Sequence, residues 1–374
     1  MLKDFLDGIR VLDLSQFLPG PFATQLLADM GADVLKVEPP AGDPQRRFNP
    51  VNGGLGPEGV RSPYYDVVNA GKTIVSIDLK SEDGKQAFEI LISSADVLLE
   101  SYRPGVLERL GFGRERLEEL NPGLIHCALS GYGQTGPKRL KAGHDINYIA
   151  STGMFSASGI KEKPVLTWPP PADYASAQQA ALTILGALIA KQKTEQGTFL
   201  DVSLAESMLA WQSFGLTAVG DAQGDPERGQ NLLNGGAAAY QVYETGDDRF
   251  ITLGALEVHF WKNFCEAVGH PEWVIRQFEP LPQTGLIAAV ADMVKAQPLE
   301  YWNAVLGDVD CCYHPVLDYA EAALDPHTRA RGLISKADNF TQVLFPAHVD
   351  GEPPEPRSPV AEVDLKTALK RWAT

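Results

Sequence analysis

The sequence predicts an α/β protein, a large domain built on a parallel sheet joined to a smaller α+β domain, and three observations carry that expectation. Short β-rich runs alternate with helical patterns through the first third of the chain, as parallel strands joined by crossover helices require. The 374 residues are more than one small module needs and suit two domains. Between Asp221 and Gly236 the composition shifts to Gly, Asp, Asn and Gln, which marks a linker. The large domain is therefore expected over residues 1–220, completed by the C-terminal segment 321–374, and the small domain with its linkers over 221–320.

The first strand is Arg10-Val11-Leu12-Asp13-Leu14, followed by a helix from Pro21 to about Met30 and a strand over Asp33 to Val37, a βαβ unit. Pro21 suits the first turn of that helix and Gly31 its end. The alternation continues with a strand over Thr73 to Ile77, a helix after Ser81, a strand over Val97 to Glu100, a short helix over Arg114 to Leu120 and a strand over Leu124 to Ser130. A long helix from about Ala175 to Gln192 carries Leu182, Ile184, Leu185, Leu188 and Ile189 at helical spacing and is expected to cross the core. Past the linker, Tyr240 to Tyr243 and Phe250 to Leu253 read as strands and Leu256 to Val305 as mostly helical. Pro315-Val316 opens a further segment, and the five prolines between Pro346 and Pro359 make an extended passage that returns toward the first domain.

Composition narrows the function. Lys plus Arg number 32 against 48 Asp plus Glu, and a net charge of −16 is a poor footprint for gripping nucleic acid or an anionic membrane. A polyanionic ligand would need a local cluster of cations. The longest nearly apolar run, Ala180 to Ala190, is about half of the ~20 residues that span a bilayer. The N-terminal stretch carries Asp4, Asp7 and Asp13 with no apolar signal region, so a cytoplasmic location is expected. Cys127, Cys265, Cys311 and Cys312 lack paired spacing for zinc and read as buried free thiols.

Gly131 to Gly136 spells GxGxxG after a strand, but Pro137 and Gly143 interrupt the helix a dinucleotide site needs, so it reads as a glycine turn. Three polar segments remain. Ala142 to Tyr148 sets His144 beside Asp145, where a structural hydrogen bond competes with a catalytic role. Asp173, just ahead of the long helix, reads either as its N-cap or as a carboxylate held ionised by the helix dipole, able to act as nucleophile or proton acceptor. Glu257 follows an apolar strand at the start of a helix, where the helix dipole alone accounts for it. Lys72, Lys80, Arg103 and Arg109 are the cations that could hold phosphates, Arg103 just past the C-terminal end of a strand.

These blocks match a known family. Val11-Leu12-Asp13-Leu14, Pro19-Gly20-Pro21 and Leu27 to Pro40 resemble the opening of the family III CoA-transferases, the superfamily that also contains α-methylacyl-CoA racemase. Asp78-Leu79-Lys80, Tyr102-Arg103-Pro104-Gly105, Arg109-Leu110-Gly111, Gly131 to Pro137 and Thr198 to Ser207 extend the resemblance over nearly the whole chain. It implies a large Rossmann-like parallel-sheet domain plus a smaller α+β domain, in an interlocked homodimer whose active site lies between the large domain of one chain and the small domain of the other.

Ala142 to Tyr148 resembles the racemase signature in which the His and a later Asp, here His144 and Asp173, face opposite sides of the substrate α-carbon. Glu257 matches the residue implied to partner that His, and Asp145 one whose backbone N–H is implied to hold the thioester oxygen. Arg103, Arg109, Tyr102 and Glu38, which fall in the matching blocks, and Lys72 from the cation pattern are expected to bind coenzyme A, which enters as part of the acyl-CoA substrate, with no permanently bound cofactor or metal. The implied activity is 2-methylacyl-CoA racemisation through an enolate; the alternative is CoA transfer between carboxylic acids through an aspartyl-CoA thioester on Asp173. Two departures bear on that choice. Leu18 and Ala237-Ala238-Ala239 replace residues typical of formyl-CoA transferases and disfavour formyl-CoA/oxalate exchange, while Tyr174-Ala175 stands where racemases tend to have glycines.

Overall fold

The runs Arg10–Leu14 and Val97–Glu100 pair in parallel, and nearly every side chain in both is buried, as in strands covered by helices on both faces. The computed structural model describes residues 2–49, 51, 53–56, 60–221, 224–337 and 340–372. Its elements begin β1 (Arg10–Leu14), α1 (Pro19–Asp29), β2 (Asp33–Glu38), α2 (Pro63–Asn69), β3 (Thr73–Ser76), α3 (Glu82–Ser94) and β4 (Val97–Glu100). Next come α4 (Val106–Arg109), α5 (Arg114–Leu120), β5 (Ile125–Ser130), α6 (Asp145–Ala150), α7 (Met154–Ala157), β6 (Gly159–Ile160) and β7 (Lys163–Pro164). Then follow α8 (Pro171–Thr194), β8 (Thr198–Ser203), α9 (Leu204–Ala210), α10 (Ser213–Gly220), β9 (Tyr240–Glu244), β10 (Phe250–Gly254), α11 (Val258–Ala267), α12 (Thr284–Lys295) and α13 (Leu299–Leu306). The chain closes with β11 (Tyr313–Pro315), α14 (Tyr319–Leu324), α15 (Pro326–Arg331), β12 (Ile334–Lys336), β13 (Thr341–Val343), β14 (Ala361–Val363) and α16 (Leu365–Trp372).

One compact unit comprises Met1–Ile149, Trp168–Ala210 and Asp325–Thr374, the other Ala150–Thr167 and Trp211–Leu324. The first holds a seven-stranded sheet in the order β14-β3-β2-β1-β4-β5-β8, every neighbouring pair parallel. Chain order reverses between β1 and β4, and the crevice beyond their C-terminal ends is where open α/β sheets bind ligands. Leu12, Leu35, Phe88, Leu91 and Leu98 centre the core on one face of this sheet. The proline-rich passage leads into β14 beside β3, and α16 seats the fully buried Trp372 in the same core. Ser81 caps α3 as a helix-start serine should, its hydroxyl accepting the Gly84 N–H at 3.0 Å.

Two expectations change here. The long helix, α8, begins at Pro171 and lies on the sheet instead of crossing the core. An alanine stripe, Ala172, Ala177, Ala180, Ala181 and Ala187, faces inward, which leaves Leu182 and Ile189 on the opposite side at 64% and 61% exposure. Small residues allow close approach to α1, and the helical period turns Leu182 and Ile189 outward while Ile184 and Leu188 stay buried with the alanines. Of the four cysteines, all free, Cys312 is exposed where burial was expected.

The second unit is built on an antiparallel sheet in the order β11-β10-β9. Tyr243, Ile251 and Leu253 on its inner face meet Trp261, Phe264, Leu286, Val290 and Trp302 from the helices. The residues around Pro315 belong to β11 and do not open a new segment. Among the described residues no helix is long and apolar enough to cross a membrane.

Polar residues gather at the C-terminal edge of the large sheet. Asp13 in β1 accepts from the Ser15 N–H at 2.9 Å, the Ser15 hydroxyl, the Thr24 hydroxyl at 2.5 Å and the Lys72 ammonium at 3.1 Å. Burial alone would raise the Asp13 carboxyl, but Lys36 and Lys72 with the two hydroxyls outweigh it and hold the group well below the carboxylate range. Lys72 also donates to Pro21 O at 2.7 Å and Asn69 Oδ1 at 3.1 Å, so this buried cation is committed to the fold and not presented to a phosphate. Replacing Asp13 by Ala leaves Lys72 buried without its counter-charge and lowers stability by about 3–5 kcal/mol in urea unfolding. Lys72→Met should likewise lower the unfolding midpoint; an unchanged midpoint would show that the network does not hold this edge together.

Candidate active site

The loop after β5 and the loop before α6 close around one tyrosine. Tyr148 is buried, and its hydroxyl donates to Gly143 O at 2.7 Å. A side chain at Gly131 would start 2.5 Å from the Tyr148 hydroxyl oxygen, and one at Gly143 would start 2.8 Å from its ring. Both glycines are therefore explained by the approach of this ring, and the GxGxxG letters need no dinucleotide. Tyr132 packs its edge against Tyr148 with centroids 5.1 Å apart, and the Lys138 ammonium lies 5.6 Å from the Tyr132 centroid.

His144 stands at the entrance to α6. Its N–H donates to Asn147 Oδ1 at 3.0 Å, its carbonyl accepts the Asn147 and Tyr148 N–H groups, and its imidazole is exposed. The next side chain spans to another helix: Asp145 Oδ1 accepts the Ala172 N–H at 2.6 Å and the Asp173 N–H at 3.2 Å. Asp145 thus does from 27 positions away what an N-cap does locally. Asp173 is not the cap of α8, a place taken by Pro170, but the third residue of its first turn. The Asp145 N–H, at the first turn of α6, has no acceptor within that helix.

Two carboxyls share this corner, and each resists ionisation. Burial raises the Asp173 carboxyl to about 7, with the Asp145 charge adding to the effect. Burial also raises Asp145, against the pull of the two N–H bonds it accepts. The Tyr148 hydroxyl is pushed up to about 12 by burial, with Tyr132 and Asp173 adding and Arg103 opposing, so the Asp173 and Arg103 charges both act on this one ring. Tyr174, beside Asp173, packs edge-on against Phe22 of α1 with centroids 4.9 Å apart.

The remaining candidates separate. Arg103 and Arg109 are exposed on the segment after β4, at the crevice where the sheet reverses. Tyr102 is half-buried there, and its N–H donates to Glu100 Oε2 at 2.6 Å. Glu38 is buried and occupied by the Tyr65 hydroxyl at 2.5 Å, Arg46 Nε at 2.6 Å and the Asp43 N–H at 3.1 Å, so like Lys72 it serves the scaffold. Glu257 belongs to the second unit, exposed at the N-cap of α11 with no side-chain capping bond. The sequence reading missed Tyr148 as the packing centre and the exposed cations Lys138, Arg139 and Lys141. The cations could have been found, because a basic run against a net charge of −16 stands out.

A family model described as CoA-transferase family III matches residues 6–362. An acetyl-CoA:oxalate CoA-transferase of Acetobacter aceti is 32% identical over 99% of this chain and 95% of that protein. Human α-methylacyl-CoA racemase is 34% identical over 87% of this chain and 81% of its own length. Among solved structures, a CaiB/BaiF family protein from Brucella suis superposes with a TM-score of 0.84 at 25% identity, covering 98% of both chains.

Gly131→Ala and Gly143→Ala should each lower stability by about 1–3 kcal/mol through collision with Tyr148, against about 1 kcal/mol for Tyr148→Phe. Comparing denaturant midpoints checks the order. In Asp145→Asn the amide oxygen still caps α8 but the neighbouring charge is gone, so the Asp173 carboxyl should titrate lower than about 7. A carboxyl-carbon NMR titration reads that directly, and no downward shift would mean that Asp145 does not act on Asp173.

Proposed function

The chain belongs to CoA-transferase family III, and from that premise we propose that it racemises 2-methylacyl-CoA thioesters by moving the α-proton, with His144 and Asp173 as the acid–base pair. The observation that carries this is the Asp173 carboxyl, held to about 7 at the head of α8 by burial and Asp145. A group with that value is populated in both forms near neutral pH, as a residue must be that takes a proton in one direction and returns it in the other. His144 is tied to the same corner through the Asp145 hydrogen bonds and carries a free imidazole into solvent.

The chemistry follows from the thioester. One of the pair removes the α-proton, the carbonyl oxygen takes up the negative charge as an enolate, and the other delivers a proton to the opposite face. The Asp145 N–H is the donor assigned to the enolate oxygen. Arg103 and Arg109 at the crevice, with Lys138, Arg139 and Lys141, supply the positive charge that the CoA phosphates need against the acidic remainder. Coenzyme A comes and goes with the substrate. Two copies are proposed to pair, with Glu257 of one orienting His144 of the other.

A second reading rests on Tyr174. Its ring, packed on Phe22, stands where racemases tend to have glycine, and the Acetobacter relative is a transferase over almost the full length. On that route ionised Asp173 attacks the thioester carbonyl and expels CoA thiolate to form a mixed anhydride. The thiolate then attacks the aspartyl carbonyl, frees the donor acid and leaves an enzyme-bound CoA thioester for the acceptor acid.

Proton NMR with one epimer of 2-methylacyl-CoA in deuterated buffer separates the two. Deuterium entering the α-position together with epimerisation, and no acceptor acid present, is the expected result; no deuterium entering with or without succinate, and succinyl-CoA appearing only once succinate is added, would assign transfer instead. Asp173→Asn and His144→Ala should each lower epimerisation by about 10²–10⁴-fold, whereas a transferase would keep most of its turnover in His144→Ala. In the direction where Asp173 is the base the rate rises as pH passes about 7, and in the reverse direction it falls.

A further inference from the structure

Glu100 ends β4 at the place where strand order reverses, and it is only 5% exposed. Its Oε2 accepts the Tyr102 N–H at 2.6 Å, two residues along the loop. Its Oε1 faces His126 Nε2 at 4.0 Å. His126 itself is 9% exposed, with no hydrogen-bond partner on either ring nitrogen among the described residues. Buried polar side chains are nearly always paired. Each oxygen of the carboxyl therefore has its own neighbour, the Tyr102 N–H engaged at Oε2 and His126 beyond hydrogen-bond reach at Oε1, so closing on His126 draws the group away from Tyr102.

The loop between them carries Arg103, and a second bond ties it to the other side of the crevice: Ser101 Oγ accepts the Gln16 N–H from the turn after β1 at 3.1 Å. The titratable groups around Glu100 are His126 and Cys127 on β5, Tyr102 on its own loop and, beyond Tyr102, Asp13 on β1. Among the described residues no Lys or Arg is paired with it, so burial pushes its carboxyl up to about 7 against the single pull of the Tyr102 N–H. Burial pushes His126 down to about 4, with Arg114 adding, so the imidazole is neutral and able to accept at neutral pH. Neither residue has a part in the proton transfer described above.

We propose that Glu100 is a positioning residue: its carboxylate, by holding the Tyr102 N–H, sets the Ser101–Gly105 loop so that Arg103 meets the phosphates of an acyl-CoA, and its neutral form turns to His126 and releases the loop. The inference rests on the acyl-CoA reading. An ionised acceptor makes a hydrogen bond roughly twice as strong as a neutral one, so losing the charge weakens the hold on Tyr102. The protonated carboxyl donates to His126 Nε2 once the two close from 4.0 Å to about 2.7–3.2 Å. No covalent bond changes, and the proton stays on Glu100. Affinity for CoA then falls as pH drops through about 7.

The test is calorimetric titration of the whole protein with free CoA from pH about 5.5 to 8.5, using wild type, Glu100→Gln and His126→Leu. Wild-type affinity should fall about tenfold more than that of Glu100→Gln between pH about 8 and 6, since the amide is neutral throughout and the titration of CoA itself is common to both. In steady-state assays Glu100→Gln should raise KM and leave kcat within about twofold. In His126→Leu the protonated carboxyl loses its second partner, so the midpoint of the wild-type pH dependence should move to lower pH. Identical pH dependence in wild type and Glu100→Gln, with CoA still bound, overturns the role of Glu100 and leaves the acyl-CoA reading standing. A wild type that binds no CoA at any pH overturns both. Should Glu100→Gln fail to fold, an unmoved midpoint in His126→Leu overturns the proposal by itself.

Discussion

The buried carboxylate of Asp13 is the constraint on which the C-terminal edge of the large sheet depends. It gathers a strand, the helix that follows and the entry to β3 through Ser15, Thr24 and Lys72. Lys36 extends the network from β2, donating to Ser15 O at 2.6 Å and pairing with Asp43 at 3.0 Å. Asp43 in turn accepts the Phe17 N–H at 3.2 Å. The turn after β1 is therefore held from beneath by charge and from the side by Ser101, which fixes one wall of the crevice. Removing two ammonium groups from water is expensive, and several hydrogen bonds per carboxylate are what make such burial tolerable.

The other wall depends on Asp145 in much the same way. A cap carried by a distant carboxylate locks α6 to α8 and fixes the position of His144 relative to Asp173. The carboxylate that stabilises the helix start is also the one whose charge helps burial raise the Asp173 carboxyl to about 7. Tyr148 is clasped by Gly131 and Gly143, where any side chain would collide with its ring. The proposed proton transfer and the alternative acyl transfer both use Asp173 and differ in the neighbour each draws on, His144 for the first and Tyr174 on Phe22 for the second.

Patterns confined to neighbouring residues were legible. Arg10–Leu14, Val97–Glu100 and Arg114–Leu120 fall where the alternation of apolar runs and helical spacing places them, and Ser81 begins its helix as its chemistry requires. The blocks that resemble the family were equally readable, because they are strings of adjacent letters. Lys72 and Glu38 were not read correctly by that route, and for Asp173 only the cap alternative fell away. A lysine in a polar stretch looks like a surface cation, and only the approach of Asp13, 59 positions earlier, makes it an interior one. An aspartate ahead of an apolar helix looks like its cap until Pro170 and Asp145 take that place.

By itself, then, the sequence determined the parallel sheet, which follows from short-range period, and carried in adjacent letters the blocks that resemble the family and single out His144 and Asp173 as candidates. Tertiary structure alone decided which charges are buried and paired, which face of α8 is outward, and which carboxyls titrate near neutrality. Those outcomes depend on groups far apart in the chain meeting in a medium that water has left, and local patterns carry no record of such meetings.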